Sequence, residues 1–76
     1  MNEARRKSLR KIVVGIQKLN NELETLREEE EDYRDNMPEN LHGSERYDKA
    51  DEAVEFLSEA YDYLENAIDI IENAIE

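Results

Sequence analysis

The chain has a single histidine, and it closes the sequence Glu39-Asn40-Leu41-His42. Glu-x-x-His is the spacing by which di-iron helical bundles present two metal ligands on one helix face. In those proteins it occurs twice, in helix interiors, alongside further inward carboxylates. Here it falls between Pro38 and Gly43, in a segment with the composition of a turn, so no metal or other cofactor is expected. The acidic run Glu28 to Asp32 lacks the ligand spacing of a calcium loop and reads as a solvated helix face. The hydroxyls that could act as nucleophiles are Ser8, Thr25, Ser44 and Ser58, and the only imidazole to activate them is His42 in the turn. With no glycine-rich phosphate loop either, enzymatic activity is not expected.

The carboxylates of the C-terminal half are more regular. Glu55, Asp62, Asp69 and Glu76 recur every seven residues, joined by Glu59, Glu65 and Glu72. On a helix this spacing puts negative charge along one rigid face at steps of about 10 Å. Duplex phosphates are more closely spaced along each strand, but an acidic rod can still occupy a basic nucleic-acid groove. Such a face also keeps a small bundle in solution without further purpose. The opposite charge is concentrated in the segment R-R-K-S-L-R-K, residues 5 to 11. That pattern could serve a nucleic acid or an anionic membrane. A formal net charge of −11 repels phosphates, however, so neither is an expected direct partner.

The residues from Ala53 to Glu76 organise the rest: A-V-E-F-L-S-E, A-Y-D-Y-L-E-N, A-I-D-I-I-E-N, A-I-E. With Leu57, Leu64 and Ile71 at heptad position a, alanines 53, 60, 67 and 74 fall at d. Position e carries Val54, Tyr61, Ile68 and Ile75, and position g carries Phe56, Tyr63 and Ile70. An arc with four apolar positions in seven is too wide for one partner helix. An earlier helix has a narrower seam, with Leu9, Ile16, Leu23, Glu30 and Met37 at a and Ile12, Leu19, Leu26 and Tyr33 at d. Between them, Pro38 stops the first helix, Asn40 and Gly43 tolerate left-handed backbone, and Ser44 is a good N-cap. The expectation is one all-α domain: helix 3–36, turn 37–44, helix 45–76, folded as an antiparallel, coiled-coil-like hairpin.

A turn centred between Leu41 and His42 sets Leu9, Ile16 and Leu23 against Ala74, Ala67 and Ala60, and Ile12, Leu19 and Leu26 against Ile71, Leu64 and Leu57. Large side chains then face small ones in alternate layers. On the e flank Val13 lies beside Ile68, Asn20 beside Tyr61, and Arg34 beside Tyr47, where a cation-π contact is expected. Arg5, Arg6, Arg10 and Lys11 come near Glu72 and Glu76. On the g flank Gly15 lies beside Ile70, Glu22 beside Tyr63 and Glu29 beside Phe56, leaving that edge open. A mid-helix glycine costs about 1 kcal/mol relative to alanine, which is understandable if another backbone passes close by.

Ser8, Gly15, Phe56, Tyr63 and Ile70 are therefore the candidate oligomer interface, pairing two hairpins into a four-helix bundle. At 76 residues, with no cysteine for disulfides or thiolate metal sites, self-association is the expected source of added stability. There is no apolar run of membrane-spanning length and no signal-peptide pattern at the N-terminus, so a cytoplasmic protein is expected.

From Met37 onward the sequence M-P-E-N-L-H-G-S-E-R-Y-D-K-A-D-E-A, followed by alanine-led heptads, resembles short acidic two-helix proteins encoded by phages and prophages of Gram-positive bacteria. The likeness covers the linker and second helix, about half the chain, and carries over no functional residue. It implies a bacterial host cytoplasm and a protein that works by binding a host protein, as an inhibitor or adaptor. The alternative is an acidic nucleic-acid mimic, using Glu55, Glu59, Asp62, Glu65, Asp69 and Glu72.

Overall fold

The computed structural model covers residues 1–76 and consists of two long helices joined by a tight turn. Helix α1 spans Glu3–Asp35 and helix α2 spans Glu45–Ile75, within a residue of the expected limits. Asn2 starts α1, its side-chain oxygen accepting from the Arg5 amide at 2.8 Å. Ser44 starts α2 in the same way, accepting from the Tyr47 amide at 3.2 Å. Each cap satisfies an amide that the first helical turn leaves without a partner. The helices pack side by side into a rod of 59 × 15 × 13 Å.

The turn differs from its expected mechanism. No residue has positive φ, so neither Asn40 nor Gly43 uses its left-handed freedom. Pro38, with φ −56° and ψ 146°, instead leads into a 3₁₀ turn over Glu39–Leu41, bonded from the Leu41 amide to the Pro38 carbonyl at 2.8 Å. His42 Nε2 donates to the Met37 carbonyl at 3.1 Å, and its ring stacks on Tyr47 at a centroid distance of 4.7 Å. Met37 is buried beneath this turn.

The helices meet in the expected register but are rotated from the expected faces. Asn20 lies against Tyr61, donating from Nδ2 to the Tyr61 carbonyl at 3.2 Å and to Glu65 Oε1 at 3.3 Å. Arg6 Nε donates to the Ile75 carbonyl at 3.0 Å, and Arg34 Nη1 reaches Asp51 Oδ1 at 2.8 Å. These α1 residues occupy position e, two heptads apart, with buried Val13 between Arg6 and Asn20. The a and e edges of α1 therefore face α2, whose Ala50, Val54 and Ile68 are buried in return.

The d layer of α1 does not meet the a layer of α2 as expected. Ile12, Leu19, Leu26 and Tyr33 are 49%, 63%, 56% and 47% exposed. Two helices share only one contact line. Hydrogen bonds from the long e side chains turn that line toward e and leave d outside. Two neighbouring expectations change with it. Arg34 pairs with Asp51 and Asp35 rather than stacking on Tyr47. The basic N-terminus meets the carbonyl end of α2 through Arg6, while Arg10 pairs with Glu3 at 3.0 Å rather than with Glu72 or Glu76.

Asn20 is only 1% exposed, and its Oδ1 is the one buried side-chain polar atom without a partner. Its amide donors carry the contact, so Asn20→Asp would put a carboxylate beside Glu65 with no proton to share at neutral pH. A buried unpaired charge of this kind costs about 3 kcal/mol or more. The new carboxyl has a folded-state pKa above its unfolded value, so the lost stability returns as pH falls below the folded value. Thermal melts of Asn20→Asp at neutral and mildly acidic pH are expected to show this recovery; equal destabilisation at both would contradict it.

Candidate interaction face

The rotation places two rows of apolar side chains on one side of the rod. In an antiparallel pair, positions d and g of both helices point to the same flank. From α1 come Ile12, Leu19, Leu26 and Tyr33 at d, and from α2 come Phe56, Tyr63 and Ile70 at g, which are 58–66% exposed. The observed register pairs these rows into rungs: Ile12 with Ile70, Leu19 with Tyr63, and Leu26 with Phe56. Successive rungs are seven residues apart, about 10 Å along the axis. The half-buried alanines at 53, 60 and 67 floor the strip between the rows.

The five candidate interface residues named from sequence all lie at position g on this flank, and all are exposed. Gly15 shows why an outer partner was inferred there. A Cβ built on it would meet nothing within 4 Å, so no contact inside the hairpin explains a glycine at that point. Sequence reasoning missed the α1 row, Ile12, Leu19 and Leu26, by assigning it to the internal core. The available signal was the line Arg6, Asn20 and Arg34 at e, hydrogen-bonding side chains that reach the neighbouring helix.

The acidic side chains of α2 are solvated. Glu55, Glu59, Asp62, Glu65, Asp69 and Glu72 are all exposed, and none enters an ion pair, since the eight pairs present involve other carboxylates. Glu65 is tied back only by the Asn20 amide. The charge of Glu24, then that of Glu65, raises the Tyr61 phenol above its ordinary pKa, with partial burial adding to the effect.

Little else gathers chemical groups. The surface concavities lie at the open end of the hairpin, one along α1 from Met1 to Leu9 and one between Arg10, Val13, Gln17, Glu72 and Ile75. No three His, Cys, Asp or Glu side chains converge as metal ligands, and no helix is long and apolar enough to cross a membrane. The chain matches no family model, no curated protein and no solved structure.

The raised Tyr61 phenol gives a pH test of this packing. Its contribution to stability is complete below the unfolded tyrosine value and is lost as pH rises through the higher folded value. Ultraviolet titration is expected to show a late tyrosinate step that Tyr61→Phe removes; an unchanged curve in that variant would argue against the Glu24 and Glu65 contacts.

Proposed function

We propose that this chain is a non-enzymatic protein-binding module whose working unit is a homodimer of hairpins closed into a four-helix bundle. The carrying observation is the two-row apolar face, with side chains from Ile12 to Tyr33 and from Phe56 to Ile70 left in water. Contiguous apolar surface of this kind marks an interaction site in a soluble protein.

The resemblance of the linker and second helix to short acidic phage and prophage proteins supplies the context, an inhibitor or adaptor acting on a host protein in the bacterial cytoplasm. With the apolar faces closed on each other, the turn around Leu41 and the acidic faces remain outward on both hairpins. The freedom of Glu55, Asp62 and Asp69 from any ion pair favours a second reading, mimicry of a nucleic acid in a basic groove. Binding of that kind weakens steeply with salt, whereas contact through the turn does not.

Sedimentation equilibrium at micromolar concentration is expected to give a dimer. The double substitution Phe56→Glu with Tyr63→Glu is expected to give a helical monomer, because neither side chain is part of the buried seam. A wild-type chain that sediments as a folded monomer at that concentration would refute the dimeric unit.

A further inference from the structure

The apolar face is electrically graded along its length. At its α1 rim, position g carries Ser8 and Gly15 toward the open end of the hairpin and Glu22 and Glu29 toward the turn. At its α2 rim, position c carries Asn73 and Asn66 toward the open end and Glu59 and Glu52 toward the turn. Both rims therefore change from neutral to acidic at about the same height. Just outside the α1 rim, the open half adds Lys11 and Lys18 at position c. The eight ion pairs of the chain use neither these lysines nor the four rim glutamates. The gradient belongs to the whole rod. Residues 1–18 with 65–76 carry six Lys and Arg against five carboxylates, while residues 19–64 carry four against sixteen.

We infer that the face is occupied by a second copy of the chain lying antiparallel to the first, each hairpin's turn against the other's open end, about a two-fold axis near the Leu19–Tyr63 rung. This rests on the homodimer proposed above and fixes its geometry. Stacking two copies in parallel would bring the acidic halves together and oppose Glu22 and Glu29 of one copy to Glu59 and Glu52 of the other, a like-charge juxtaposition that disfavours that arrangement. The antiparallel arrangement sets each acidic rim against the neutral one. Ser8 then comes opposite Glu29 and Gly15 opposite Glu22, while Asn66 and Asn73 come opposite Glu59 and Glu52.

The same operation matches the rungs. Ile12–Ile70 of one copy meets Leu26–Phe56 of the other, and Leu19–Tyr63 meets itself at the axis. The interface is self-complementary, as two-fold symmetry requires. Lys11 approaches Glu22 and Glu29 of the partner copy, giving this unpaired base a neighbour, while Lys18 lies at the axis. Gly15 borders the proposed interface, and the open space around it leaves room there for the partner.

The chain has no cysteine, so a single spin label can be placed at the turn through Gly43→Cys, a position with ordinary φ and room for a side chain. Double electron–electron resonance on this variant, with sedimentation of the same sample, tests the geometry. The expected result is a dimer with a label separation of roughly 60 Å, twice the rise from the Leu19 rung to the turn. A dimer whose labels lie within the combined width of two rods, each 15 Å across, would overturn the antiparallel arrangement and leave the homodimer standing. A monomer would overturn both. Lys11→Glu is expected to raise the dimer dissociation constant about tenfold at low salt, the difference shrinking at high salt. An unchanged constant would remove the charge pairing on which the orientation depends.

Discussion

The structure depends on one edge of the first helix. Arg6, Asn20 and Arg34, two heptads apart, each donate a hydrogen bond to the second helix, and Val13 is buried between the first two. They act at different kinds of acceptor. Arg6 caps the carbonyl end of α2, where the helix dipole is negative and the last carbonyls have no helical partner. Asn20 bonds a carbonyl in mid-helix, and Arg34 forms a charged pair near the turn. Together they fix the register at both ends and the middle of a rod 59 Å long, and they decide which way each helix is turned.

That rotation accounts for the exposed surface. Only six residues are buried, and one of them is Asn20, so the apolar core of a lone hairpin is Val13, Met37, Ala50, Val54 and Ile68. A core of that size offers little against the chain entropy of ordering two long helices. The seam also spends a buried position on an amide with one unsatisfied oxygen. A polar group at such a place favours a particular pairing over alternatives at some expense of stability, as single asparagines do in coiled coils. A hairpin built this way has its register set from within and leaves most of its large apolar side chains for contacts outside.

The hairpin itself was legible in the sequence. Pro38 and Ser44 bracket the turn, and the heptads on either side fix two helices whose midpoint selects the register later seen at Asn20 and Tyr61. The rotation was not legible. Positions a, d and e of α2 are all apolar, so the pattern accommodates either face, and the choice falls to polar side chains on α1 whose reach heptad labels do not express. The turn geometry was concealed for a similar reason. Asn40 and Gly43 permit left-handed backbone, but a 3₁₀ turn after Pro38 meets the same hydrogen-bonding needs without it. The outward g residues were visible from sequence because the flank of α1 beside them is only serine, glycine and glutamate.

The distribution of acid then takes on two meanings. Carboxylates at f on α2 are remote from the apolar strip, exposed and unpaired. Carboxylates at g on α1 and c on α2 border the strip, and they occur only in the half toward the turn. A purely solubilising charge has no reason to stop halfway along both rims at the same height. In the antiparallel homodimer proposed above it does, because a two-fold axis across the rod would carry each half onto the other, and only a graded edge meets an opposite one there.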